Sequence, residues 1–207
     1  MNDSPMNRKK FLTNLGKCCV GSWLFAAMSS FEDLQAQDKS EPTPADKATP
    51  RAQERINFTE GWVKRFFDVL DGNLDEQTRK KVMMANGKAC YLNWIKETGQ
   101  QIKPTTLEKL KAWAEKKVTD GSVRVEGNDI YFQFMHAAET GLPSEDGACL
   151  CPLVETKPAG LSKTYCMCSV GYVNEWYSLL LARPVTVELM ESVLMGGKRC
   201  KFKISVT

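Results

Sequence analysis

Two pairs of thiols, each separated by a single residue, carry the most chemistry in this chain: Cys149-Leu150-Cys151 and Cys166-Met167-Cys168. Thiolates are the ligands that zinc and softer metal ions select, and thiols this close can face one ion or take part in redox exchange. Eight cysteines are present, of which Cys18 and Cys19 lie near the N-terminus and Cys90, Cys149, Cys151, Cys166, Cys168 and Cys200 lie in the body of the chain. An even number of thiols in an exported protein also permits three disulfides. Three readings therefore stay open. They are a metal site drawn from Cys149, Cys151, Cys166, Cys168 and Cys200, one or more disulfides, and unlinked structural or reactive thiols. Cys90 sits in an apolar helical run and reads as a small buried hydrophobe.

His136 is the only histidine and so the only side chain that titrates near neutrality without perturbation. A catalytic Cys–His pair would join it to Cys166 or Cys149. Glu188 and Glu191, three apart on an expected strand, point to opposite faces, so only one of them can face a site. Tyr165, Tyr172 and Trp176, with Phe132 and Phe134, either line a pocket or fill the core. The chain has no Gly-rich phosphate loop, no G-x-S-x-G elbow and no H-E-x-x-H. Those absences argue against nucleotide-dependent chemistry, serine hydrolysis and zincin proteolysis.

The elements that must position these groups are legible from periodicity. Phe58, Trp62, Phe66, Val69 and Leu70 recur at helical spacing and predict a helix over 52–71, broken by Asp71-Gly72-Asn73. Asn73, with Glu76 three residues on, reads as the cap of a second helix reaching Thr98, whose apolar face holds Val82, Met83, Ala85, Ala89, Cys90, Leu92 and Trp94. A third helix over 105–117 turns Leu107, Leu110, Trp113 and Ala114 inward. The period then falls to two. Val123 and Val125, then Ile130, Phe132 and Phe134, flank Gly127-Asn128 as a β-hairpin. A Gly/Pro-rich loop over 141–160 carries the first thiol pair, and a helix over 163–182, capped by Ser162, carries the second. A strand over 185–194, a turn at Gly196-Gly197 and a strand over 200–206 close the chain. The order predicts an α+β fold: N-terminal helices and a mostly antiparallel sheet with a helix packed across it, ending in a β-hairpin. If that last helix crosses the final hairpin, its first turn meets the strand that bears Cys200, and the loop thiols lead into the same place. The positive end of the helix dipole would then lower the thiol pKa values.

The whole chain has 207 residues and a formal net charge of only +3, with 43% hydrophobic and 26% charged residues. Charges of both signs are mixed in sequence, as in the stretch from Asp75 to Lys81, which reads as solvated helix surface and argues against a nucleic-acid partner. No run of 18 apolar residues occurs, so no stable membrane span is expected once a signal is removed. Residues 1–36 have the order of an export signal: basic Arg8, Lys9 and Lys10, then a modest apolar run from Cys18 to Met28. Residues 37–52, with Pro42, Pro44 and Pro50, read as a disordered linker, leaving 53–207 as one domain outside the cytoplasm, periplasmic or extracellular.

Two resemblances add to this. Asn7-Arg8-Lys9-Lys10-Phe11-Leu12 resembles a twin-arginine signal, with Lys9 in place of the second arginine. That route carries folded proteins, which would allow a metal to be loaded before export. The segments Tyr165–Tyr172, Arg183–Glu188 and Gly196–Ile204 resemble the end of the vinyl-reductase-like domain and the tail of the L-2-amino-thiazoline-4-carboxylate hydrolase-like family. The first resemblance implies a small-molecule-binding α+β fold. In some members a zinc is held by a helix Cys, a Glu and a Cys of one strand, and a Cys of the next. Cys166 and Cys200 match the first and last of these; Ser192 stands at the strand Cys, Leu189 at the Glu, and Gly197 at the usual Asp of the turn. The second resemblance implies C–N or amidine hydrolysis by a thiolate or a thiolate-held metal; Cys166 and His136 are catalytic candidates on their own side-chain chemistry and not through that resemblance. The expectation is thus an exported small-molecule- or metal-binding domain with zinc on its cysteine cluster, with the small hydrolase and a disulfide-stabilised interaction domain as alternatives.

Overall fold

The computed structural model describes residues 50–118, 121–134, 149, 151, 153, 154 and 158–207. The export segment 1–36, the linker up to 49, His136 and most of the loop 141–160 lie outside these residues.

Helix α1 spans Pro50–Asn73 and begins with a proline, whose missing N–H costs nothing at a first helical position. The final residues of the expected linker, 50–52, are therefore helical. The cap of α2 (Glu76–Thr98) is Asp75 rather than Asn73: its carboxylate accepts the Thr78 N–H at 2.9 Å. Asn73 instead closes α1, its side-chain amide donating to the Val69 carbonyl at 2.8 Å. Gly99, at φ 68°, ends α2 in the left-handed region that favours glycine. Thr106 caps α3 (Leu107–Lys117). The hairpin of β1 (Val123–Glu126) and β2 (Asp129–Gln133) turns through Gly127 at φ 58°. A 3-10 turn, Lys163–Cys166, runs directly into α4 (Met167–Leu181). Strand β3 (Val185–Glu191), a short 3-10 turn (Val193–Met195) and β4 (Lys201–Val206) complete the order.

The four strands form one sheet in the order β1-β2-β4-β3, antiparallel at every pairing. The fold is α+β as the periodicity indicates. Alternation along the strands sends Val125, Ile130, Phe132, Phe202 and Ile204 inward. The opposite face is polar and laced with ion pairs, Lys203–Asp129 at 2.9 Å and Lys201–Glu191 at 2.6 Å among them. Helix α4 lies across the inner face, with α2 on its other side, so it is apolar nearly all round: Val173, Trp176, Tyr177 and Leu180 are all buried. Tyr165, Tyr172, Trp176 and Phe132 are core residues.

Helices α2 and α4 touch backbone to backbone. A Cβ on Gly87 would sit 1.8 Å from the Cys168 carbonyl oxygen, and one on Gly171 would sit 2.0 Å from that of Met84. Two glycines facing each other's helix are what permit so close a crossing.

Three local expectations are corrected. The row Phe58, Trp62, Phe66 and Val69 has helical spacing, but it faces solvent at 69, 52, 41 and 60% exposure. The buried side of α1 is Glu60, Val63 and Phe67, and the last two pack with Met83, Val154, Leu161 and Tyr165 in a second, smaller core. Cys90, Val82 and Leu92 of α2 are exposed, because that helix buries Met83, Gly87, Tyr91 and Trp94 instead. Glu188 and Glu191 share the solvent face. A bulge between Leu189 and Glu191 absorbs Met190, so Glu188 pairs with Lys203 and Glu191 with Lys201, two residues of the same face.

Candidate functional site

The described thiols gather where the loop, the start of α4 and the start of β4 meet. Cys166 ends the 3-10 turn and is buried; its thiol donates to the Ser192 hydroxyl at 3.5 Å. Ser192 is itself fully buried after β3, and its oxygen also accepts the Met195 N–H at 3.2 Å. Cys168, in the first turn of α4, accepts from the side-chain amide of Asn86 on α2 at 3.5 Å. The Cys151 sulfur lies 2.5 Å from the Tyr165 hydroxyl. Cys200 immediately precedes β4, where its carbonyl accepts the Phe134 N–H at 3.1 Å. Its sulfur is hydrogen-bonded by the backbone N–H of Val193.

These sulfurs lie within electrostatic reach of one another. Cys166 feels the charges of Cys200, Cys149 and Cys151. Cys200 feels Cys149, and Cys151 feels Cys168 and Cys90. Thiols of the loop, the first turns of α4 and the start of β4 therefore influence one another, while His136 lies outside the described residues. The expected thiol acidity is reversed. Burial is the first cause acting on Cys151, Cys166, Cys168 and Cys200, and it pushes every one of these thiols up, Cys166 to about 12. The dipole of α4 does not offset it, because the 3-10 turn continues into the helix. The Met167 N–H is already bonded to the carbonyls of Thr164 and Tyr165 rather than free to face a sulfur.

Cys90, Cys151, Cys166, Cys168 and Cys200 carry free thiols. As a donor set, four or five thiols suit zinc well. As a geometry they do not close: among the described residues no three Cys, His, Asp or Glu side chains are grouped to hold one ion. Three of the thiols are instead engaged by a hydroxyl or an amide, Cys151 by Tyr165, Cys166 by Ser192 and Cys168 by Asn86.

Sequence reasoning missed Asn86 and the role of Ser192 as thiol partners, since both contacts join residues far apart in the chain and leave no local signal. It also missed polar groups within the main core. Glu175, almost buried on α4, pairs with Lys88 of α2 at 2.9 Å. The Tyr91 hydroxyl and the indole N–H groups of Trp94 and Trp176 are buried with no hydrogen-bond partner among the described residues.

Residues 37–207 match the family of unknown function DUF6144, and the chain belongs to that family. No curated protein matches it.

Proposed function

We propose that this is an exported binding domain whose working centre is the thiol cluster, and that Cys149, Cys151, Cys166, Cys168 and Cys200 take up a soft or borderline metal ion, zinc, beside a small-molecule site. The observation that carries the reading is a chain of contacts between three stretches: Cys151 meets Tyr165, the neighbour of Cys166, and Cys166 meets Ser192 close to Cys200 in the fold. Ser192 lends support. It touches Cys166, as a residue aligned with the strand ligand of vinyl-reductase-like zinc sites should. Because the described thiols are not gathered into one shell, uptake requires some of them to exchange a hydroxyl or amide partner for the ion and to lose a proton. The buried donors of Tyr91, Trp94 and Trp176, which have no partner among the described residues, would offer hydrogen bonds to a polar group of a small ligand. A hydrolase with Cys166 as a free thiolate is disfavoured, because burial keeps that sulfur protonated.

Metal analysis of the full chain, purified without chelator, tests this together with mass spectrometry before and after reduction. The expected result is close to one zinc per chain, lost in Cys166→Ser and in Cys200→Ser. Metal-free protein with three intact disulfides overturns it.

A further inference from the structure

Helix α1 carries a second apolar face that nothing among the described residues covers. Phe58, Trp62 and Phe66 recur every four residues, and Val69 falls on the same side. Trp62 and Phe66 stack on one another in the open, ring centroids 5.3 Å apart and nearly parallel at 6°. At about 100° per residue, the exposed Arg51 and Arg55 continue this row toward the start of the helix, and the exposed Arg65 borders it. Glu60, Asp68 and Asp71 fall well outside the row and Glu54 lies just beyond Arg65 at its edge, so the row itself is aromatic and basic with no acid in it. The opposite side of α1 is occupied by the small core, which fixes the direction in which the row points.

We propose that this row lies in the headgroup layer of an anionic lipid bilayer, with the aromatic rings and Val69 at the acyl boundary and the three arginines against lipid phosphates. A helix with bulky aromatic residues on one face and arginines beside them has the build of an interfacial helix. Its charge complements anionic lipid and would repel a second copy of the same face. No described helix is long and apolar enough to cross a membrane, so the contact is with the surface.

The test is vesicle co-sedimentation of the full chain with phosphatidylglycerol–phosphatidylcholine vesicles and with phosphatidylcholine alone. The wild type should prefer the anionic vesicles. Trp62→Ser with Phe66→Ser should weaken binding to them at least tenfold, since each ring leaves an apolar site. Replacing Arg51, Arg55 and Arg65 by Gln should cost about fivefold per residue. A control with the same loss of charge on α3, Lys109→Gln with Lys111→Gln and Lys116→Gln, should bind within about twofold of wild type, because screening confines the attraction to charges near the surface. Unchanged binding in the aromatic variant, equal binding to uncharged vesicles, or a dimer in solution that the aromatic variant dissolves would each overturn the proposal. Circular dichroism checks folding, and the arginine variant decides alone if the aromatic one is unfolded.

Discussion

Ser192 is a small residue in a consequential place: fully buried, it accepts the thiol of Cys166 and the N–H of Met195, at the end of the short turn after β3. Ser192→Ala removes the one oxygen that accepts both and should cost about 1 kcal/mol in urea unfolding, the usual worth of such a cap. Ser192→Cys sets a further sulfur against Cys166. If the cluster takes a metal, that variant should bind zinc more tightly than wild type in a competition with a chelating dye. Two tyrosines give a pH signature. Burial raises the pKa of both Tyr91 and Tyr177 above the ordinary value near 10. The folded protein holds these phenols neutral, while the unfolded chain releases their protons above about 10. Their stabilising effect is therefore complete below that pH and is lost as pH climbs past it. An ultraviolet titration should show Tyr91 and Tyr177 ionising only as the protein unfolds, and the unfolding midpoint should drop over the same range. The thiol pairs themselves were legible as chemistry from their spacing. Their acidity was not, because the cost of burial depends on what surrounds a sulfur and not on its neighbours in sequence.

Among the elements, the α2–α4 crossing fixes where Cys168 stands, because Gly87 rests on that residue's carbonyl. Gly87→Ala and Gly171→Ala would each drive a methyl into backbone that has no rotamer to yield. Each should lower stability by about 3 kcal/mol or more, visible as a drop in Tm. Gly72→Ala is the contrast. Nothing lies within 4 Å of its added methyl, and the residue is helical, so that variant should gain up to about 1 kcal/mol. The four long helices and both hairpins were readable from periodicity, and their faces were less so. On α1 two apolar rows compete, Phe58-Trp62-Phe66 and Val63-Phe67-Leu70, and only tertiary packing decides which is buried. The position of Glu191 was misread because a bulge at Met190 breaks the period of two, and no glycine marks that bulge.

In the molecule as a whole, the α+β layering follows from the succession of helical and strand periods, but the strand order does not. Period and turn chemistry identify β1–β2 and β3–β4 as hairpins, whereas the β2–β4 edge that joins them pairs Ile130 with Ile204 across most of the domain. That contact has no local signature. It predicts that a chain stopped at 200 loses the whole sheet and not one strand. Such a truncation should unfold without a cooperative transition, with intrinsic fluorescence near that of the denatured protein. Strand β4 is the interior partner of both β2 and β3, yet it is made after either of them. During synthesis the earlier elements therefore wait with their apolar faces uncovered, and this is where a chaperone or a proteolytic quality check would act. If the chain does travel by a route that accepts only folded cargo, that order becomes a proofreading device. A ribosome that falls off early yields a product the export machinery would refuse, so only completed copies would leave the cell.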